Sequence, residues 1–401
     1  MLTKSIRRIF CTQIRSTQLI HNLKINSSNN AIIQPIYKTS SYYFESCFQG
    51  QQLFSDLHKN DVFVYSRMNH PNVQNLENKI AILDYTNDAI VFSSGMNAIT
   101  TTLLSFVKPG DHILYTTPIY SATHLFCKEW LAQFSIHSTP IHYSDTNKDI
   151  RNKIQHNTKI IFIETPSNPL LKLTSIQSIS YIAKKKNILV IVDNTMMGPL
   201  FLSPFRLGAD IVIQSLTKSI NGHSDVLAGS VSGQKDIIDI IRKNRTLMGG
   251  ILDPDSCWLV NRSLATYPIR MKKQIETTLM VVEYIRKHPL VRSVYYPTLA
   301  SGKERDIYNT EYMGSGNVFS FELNDNCIES IFKRIDKCKT MKISVSLGSV
   351  ETLIQHPWTM THAGISEEEK LNQGIKPSLV RVSIGLEDID DIIYDFDIML
   401  K

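Results

Sequence analysis

The sequence predicts an α/β protein: a large parallel or mixed sheet wrapped by helices, followed by a smaller α+β domain. Three observations carry this. Five short apolar runs, rich in branched residues, lie between residues 64 and 262: "AIVFS" (89–93), "HILYT" (112–116), "KIIFIE" (159–164), "ILVIVD" (188–193) and "DIVIQS" (210–215). Continuous apolar runs, rather than alternating ones, are what strands buried on both faces require. Helical stretches separate many of them, as in "SIQSISYIAKKKN" (175–187), and strand–helix alternation builds a parallel sheet. After about residue 263 the texture changes. A long amphipathic stretch, "IRMKKQIETTLMVVEYIRKH" (269–288), and a strand, "NVFSFEL" (317–323), predict a second, smaller domain over 263–401. Residues 1–63 read as an N-terminal arm, with "IIQPIYKTSSYYF" (32–44) extended.

The chain has 401 residues, 42% hydrophobic and 20% charged, the composition of a globular protein with a large core. No apolar run reaches the roughly 18–20 residues that span a membrane, so no membrane association is expected. The net charge of +6 is spread along the chain without a basic–aromatic patch, and no nucleic-acid partner is expected. The six cysteines are widely spaced, with no Cys-x-x-Cys pair. That spacing implies free thiols in a reducing compartment and no metal site. The first 24 residues are basic, and no acid precedes Glu45. They fit an arm packed on a neighbouring subunit in a cytoplasmic protein or, alternatively, a mitochondrial transit peptide.

In open parallel sheets, ligands bind at the carboxyl ends of the strands. After 89–93 comes "SGMNAITTTLL", a serine and Gly95 opening a helix, where backbone N–H groups can hold a phosphate. A plain helix cap would look the same. After 159–164 comes "TPSNPLLK", a proline-bracketed turn carrying Asn168; "ILVIVD" ends on Asp193; and "DIVIQS" leads into Ser215, Thr217 and Lys218. Taken singly, each has a bland reading as turn, cap or solvated loop. Together, a phosphate-holding turn, a buried acid and a lysine suit one cofactor, pyridoxal phosphate. The lysine amine condenses with its aldehyde, the acid pairs with its protonated pyridine nitrogen, and partial burial lowers the amine pKa.

These stretches, with "YSRMNHPNVQNLE" (65–77), "SSGMNAI" (93–99), "IETPSNP" (163–169), "VDNT" (192–195), "TKSINGHSDVLAG" (217–229), "SLG" (346–348), "HPWTMTHAG" (356–364) and "VRVSIGLED" (380–388), resemble the Cys/Met-metabolism family of pyridoxal-phosphate enzymes. The resemblance runs from about Ser16 to the C-terminus. It implies the type I pyridoxal-phosphate transferase fold, sulfur amino acids as small-molecule substrates, and a homodimer or homotetramer with composite sites. It also implies residue roles. Lys218 carries the cofactor and moves protons, and Asp193 pairs with the pyridine nitrogen. Gly95, Met96, Ser215 and Thr217 hold the phosphate, joined by Tyr65 and Arg67 from the adjacent subunit. Tyr120 stacks on the ring and assists proton transfer, and Asn168 sits near the ring hydroxyl. Arg381, with Ser346, binds the substrate carboxylate through a guanidinium fork. The sequence departs from the family pattern at Leu216, Ser219, Met196 and "SLGSVET" (346–352).

Val345 precedes Ser346. Several cystathionine-handling members carry a glutamate there, and an apolar residue resembles methionine γ-lyase pockets. "YSATH" (120–124) lacks the cysteine that marks many of those lyases. The expectation is a carbon–sulfur lyase working by α,γ-elimination. The alternative is a γ-replacement transferase making cystathionine or homocysteine from an activated homoserine. A non-catalytic binding protein of the same fold is the alternative of another class.

Overall fold

The computed structural model describes residues 16–21, 31–56 and 61–401. Of the basic leader, which carried the transit-peptide expectation, only residues 16–21 are among the described residues.

Seven strands form the large sheet: β1 (Asp88–Phe92), β2 (His112–Thr117), β3 (His137–His142), β4 (Thr158–Glu164), β5 (Leu189–Asp193), β6 (Ile211–Gln214) and β7 (Gly229–Gly233). Their spatial order is β1-β7-β6-β5-β4-β2-β3. Within it β7 alone runs antiparallel to its neighbours. Strand β4 explains the continuous apolar runs. Ile161 and Ile163 enter one core cluster, while Ile160 and Phe162 enter another on the opposite face. Helices on both faces demand apolar side chains in both directions. The five strands expected from the sequence all form, displaced at their ends by a residue or two.

Two strands escape sequence reasoning. β3 is "HSTPIH", polar and containing Pro140; at the sheet edge it tolerates a residue with no N–H to donate. β7 is "GSVSG", buried throughout. Both of its glycines face backbone: Gly229 lies against the chain entering the helix Gly95–Phe106, and a Cβ on Gly233 would stand 2.7 Å from the Asp210 carbonyl oxygen. A Cβ on Gly229 would stand 2.3 Å from the Ser94 carbonyl oxygen. A glycine in a strand marks such an approach.

The chain runs from β2 outward to β3, then returns to β4 and continues to β5 and β6 in the other direction. The sheet therefore has a topological switch between β2 and β4, where a crevice opens at the carboxyl ends.

A second sheet has the order β10-β11-β12-β9-β8, from β8 (Val291–Tyr295), β9 (Val318–Leu323), β10 (Lys342–Ile343), β11 (Leu353–Gln355) and β12 (Leu379–Ser383). The helix Tyr267–Ile285 links the two sheets. Tyr267, Met271 and Ile275, four residues apart on one face, pack in the core of the large sheet. Val281, Val282 and Ile285 pack under the small one. The arm stretch 32–44 carries no regular element beyond a bridge between Ser41 and Tyr65.

Candidate active site

One cavity of about 210 Å³ opens at the carboxyl ends of the large sheet. Each adjoining strand contributes a side chain from the residues just past its end. Tyr120 follows β2, Asn168 follows β4, Asp193 ends β5, and Ser215, Thr217 and Lys218 follow β6. Gly95 and Met96 line it from the start of the helix after β1. Arg381 reaches it from the middle of β12 in the small sheet.

The Lys218 ammonium site is largely buried. Its Nζ donates to Ser346 Oγ at 3.0 Å. Burial, and then the nearby Arg381 guanidinium, lower its pKa to about 8. A fall of that size means that the site disfavours the charged form by roughly 3 kcal/mol relative to water. No carboxylate pairs with it among the described residues. Asp193 is buried at the end of β5, and Thr195 donates its backbone N–H to Oδ1 at 2.9 Å. Burial raises the Asp193 pKa above the ordinary carboxylate value, and the Thr195 contacts oppose the rise. A cation beside it would reverse the shift.

Arg381 is 2% exposed. Nη2 donates to the carbonyls of Val345 at 3.1 Å and Ser346 at 2.7 Å, and Nη1 donates to Asn168 Oδ1 at 3.0 Å. Gln355 stands opposite it in the β11–β12 ladder. With its amide oxygen turned to the guanidinium, Gln355 accepts from Nε, Nη1 and Nη2 at 2.9–3.0 Å. Burial still pulls the Arg381 pKa down to about 9. A buried guanidinium held only by neutral acceptors is ready for an anion.

The helix Gly95–Phe106 is capped by Ser94, whose side chain accepts from Asn97 N. Gly95 lies against Ser215: a Cβ there would meet Ser215 Cβ and Oγ at 2.9 Å. The helix start and the Ser215 hydroxyl therefore meet at one wall; Thr217, which also lines the cavity, has its Oγ1 bonded to the Ala228 backbone, donating to the carbonyl at 3.2 Å and accepting from the N–H at 2.9 Å.

Tyr65 and Arg67 are not part of this cavity. Tyr65 is 42% exposed. Arg67 stacks 5.4 Å from the Tyr65 ring and donates Nη1 to the Thr246 carbonyl at 2.9 Å.

The family model for Cys/Met metabolism PLP-dependent enzymes matches residues 16–401. The chain belongs to this family. It is 37% identical over 384 residues to an L-methionine gamma-lyase of Fusobacterium nucleatum subsp. polymorphum, covering 95% of this chain and 96% of that one. It is also 37% identical over 387 residues to the cystathionine beta-lyase MetC of Bacillus subtilis (strain 168), covering 96% of each. Among solved structures it is similar to the cystathionine gamma-lyase from Lactobacillus plantarum complexed with L-serine. That match has a TM-score of 0.88 and 30% identity, covering 96% of this chain and 97% of that one. The fold is that of the pyridoxal-phosphate-dependent enzymes of trans-sulfuration, and sulfur amino acids are the substrate class.

The family's cofactor is pyridoxal phosphate, and the cavity fits it. Among the described residues, a buried amine without a carboxylate partner, a buried carboxyl without a cation, and a glycine-bared helix start beside the Ser215 hydroxyl match its aldehyde, ring nitrogen and phosphate. The departures from the family pattern also find their places. Leu216 is core, Ser219 is buried, and Met196 lines the cavity within a small apolar cluster with Leu171, Val318 and Leu347. In "SLGSVET", Ser349 is buried; its Oγ accepts from Ser224 Oγ at 3.0 Å and its carbonyl accepts from Gln274 Nε2 at 2.6 Å.

Sequence reasoning missed Glu164, Thr195, Gln355 and Thr361. Thr361 lines the cavity from the "HPWTMTHAG" stretch. Gln355 is visible only through sheet register. Glu164 had a signal, a carboxylate ending an apolar run, of the kind that drew attention to Asp193. Among the described residues no cluster of His, Cys, Asp and Glu can hold a metal ion, and no helix is long and apolar enough to cross a membrane.

Proposed function

We propose that the chain is a carbon–sulfur lyase that removes the γ-substituent of methionine- or cystathionine-like amino acids. The observation that carries the choice is Val345. It stands half-exposed at the cavity beside Arg381, with Met196, Leu227 and Leu347 lining the same space. An apolar thioether finds apolar neighbours there, and a distal ammonium finds no carboxylate partner at Val345.

When bound, pyridoxal phosphate supplies an aldehyde for the substrate's amino group and a ring that withdraws electrons from its carbon framework. Arg381 clamps the substrate carboxylate, and Asn168 and Gln355 fix the fork's plane. Lys218, poised with a low pKa, would take the proton from Cα, hand it on to the cofactor-bound framework and so become neutral again, and then take a proton from Cβ, so that the γ-thiolate can leave. Asp193 keeps the pyridine nitrogen protonated. The Gly95 and Met96 N–H groups with the Ser215 and Thr217 hydroxyls hold the phosphate, and Tyr120 covers the ring and assists proton transfer. Water completes the balance: methionine gives 2-oxobutanoate, ammonia and methanethiol.

Tyr65 and Arg67 complete the phosphate site of a neighbouring copy, so the active unit is a homodimer, paired further into a tetramer. Their outward position, away from this chain's own cavity, supports that reading. The unpaired Cys47, Cys127, Cys257, Cys327 and Cys338 suit the cytoplasm; the mitochondrion is the alternative that the basic leader raises.

The test is product analysis. The enzyme is incubated with methionine, with cystathionine, and with cysteine plus O-acetyl- or O-succinylhomoserine. We expect 2-oxobutanoate and ammonia from the thioethers, and a shift of preference from methionine toward cystathionine in Val345→Glu. Cystathionine as the dominant product of cysteine and the activated homoserine, with little 2-oxobutanoate, moves the enzyme to the synthase side.

A further inference from the structure

Glu164 ends β4 inside the protein, 3% exposed. Its carboxyl is used at both oxygens. Oε1 accepts from the backbone N–H of Asn168 at 2.8 Å, and Oε2 accepts from the backbone N–H of Tyr120 at 3.1 Å. Its own N–H donates to Thr116 Oγ1 at 2.9 Å, which ties the residue to β2 as well. No arginine, lysine or histidine acts on it among the described residues, and it lies beside Asp193 in the β4–β5 ladder. Burial, and then the Asp193 charge, push its pKa above the ordinary carboxylate range, while the Asn168 and Tyr120 N–H groups, which bind the ionised form, oppose the rise. Burying a carboxyl in this way costs folding stability, and what it supplies in return is its two hydrogen bonds.

The two N–H groups it holds belong to two loops that each carry a side chain lining the site. The Tyr120 loop brings the ring-covering side chain and continues into a short helix, where Ser121 Oγ donates to the Thr361 carbonyl at 2.5 Å. The Asn168 loop brings the side chain that accepts from Arg381, and Ser320 of the small sheet donates to its Pro169 carbonyl at 2.6 Å. A carboxyl offers two acceptors. A glutamine offers one acceptor and one donor, and the donor would face an N–H.

We infer that Glu164 is a positioning residue, a two-pronged clamp that sets the Tyr120 wall and the Asn168–Arg381 arm at a fixed separation. The inference rests on the reading of Tyr120 as the ring's cover and Arg381 as the substrate-carboxylate fork. It does not depend on whether elimination or replacement follows.

The test uses holoenzyme of Glu164→Gln and Glu164→Ala. The circular dichroism band of the bound cofactor, recorded without substrate, reads the Tyr120 wall. KM for whichever substrate the native enzyme turns over fastest reads the Asn168–Arg381 arm, and melting of the apoenzyme reads the fold. We expect Glu164→Ala to alter the dichroism band and to raise KM on the order of tenfold, the effect of one lost hydrogen bond to a buried group. Glu164→Gln keeps one prong and alters one of the two readouts. If Glu164→Ala does not fold, Glu164→Gln decides alone. A native band and native KM in every folded variant overturns the inference, whether or not the apoenzyme melts lower, because Glu164 is then only a loop cap. A synthase outcome in the product assay leaves these readouts and the inference intact.

Discussion

Lys218 shows how one side chain's chemistry is set by its surroundings. An exposed lysine is a solvated cation. Here burial and the Arg381 charge lower its pKa to about 8, so the neutral amine is present at only mildly alkaline pH. The sign follows directly: lowering the pH through about 8 protonates the amine and removes the nucleophile, and raising it restores the nucleophile. Labelling of the apoenzyme with acetic anhydride across pH, read by peptide mapping, should therefore show Lys218 reactivity rising with a midpoint near 8. The exposed lysines should rise at a clearly higher pH. A Lys218 midpoint shared with the exposed lysines shows that burial does not set its state. The lysine was legible in the sequence because it follows a buried strand among hydroxylated residues. Glu164 was passed over because the end of an apolar run says nothing about which backbone donors will surround it.

The helix Gly95–Phe106 is the element that turns a strand end into a phosphate wall. Its first turn must lie close to the β6 loop, and Gly95 allows this by having no side chain. In Gly95→Ala the new Cβ meets Ser215 Cβ at 2.9 Å. A serine hydroxyl can rotate away but its Cβ cannot, so helix start and loop must part by a few tenths of an ångström. The predicted result is a cofactor affinity weaker by about tenfold with little change in apoenzyme melting, since helix N-termini act on anions only at contact distance. Titration of the apoenzyme with pyridoxal phosphate, followed by absorbance, measures it; an unchanged affinity means that the phosphate does not use this helix start. The same closeness explains why β7 was illegible. A strand spelled "GSVSG" has almost no branched or aromatic residue to announce it, and at Gly229 the backbone of Ser94 occupies the space a side chain would fill.

At the scale of the molecule, the chain's own cavity lacks Tyr65 and Arg67, while exposed apolar side chains lie near both. Tyr65 is itself exposed, Leu227 stands exposed at the cavity, and Leu247 and Met248 are exposed beside Thr246, which holds Arg67. If the neighbour's site is completed by this Arg67, a mixture of Arg67→Ala and Lys218→Ala chains will form hybrids in which one of the two sites is intact. We predict that co-refolding these two inactive variants restores up to about a quarter of native activity, the share expected if half the dimers are hybrids, each with one working site of two. No recovery in a mixture that sedimentation shows to contain dimers means that Arg67 serves its own chain.

The apolar runs, their spacing and the residues that follow them determined the α/β class and pointed to the cofactor, and the ordered motifs determined the family. These are local properties: a strand buried on both faces must be apolar throughout, and the residues after it must stand at the sheet's carboxyl end. The separation of Arg381 from Lys218 in sequence hides that they share one cavity, and that Gln355 stands beside Arg381 to hold it. That was decided by the helix Tyr267–Ile285, which carries the small sheet back against the large one, and by the β11–β12 register. The clamp at Glu164 was likewise decided in three dimensions. Its two partners follow β2 and β4, strands that become neighbours only because the chain reverses its winding between them, and no local pattern records that reversal.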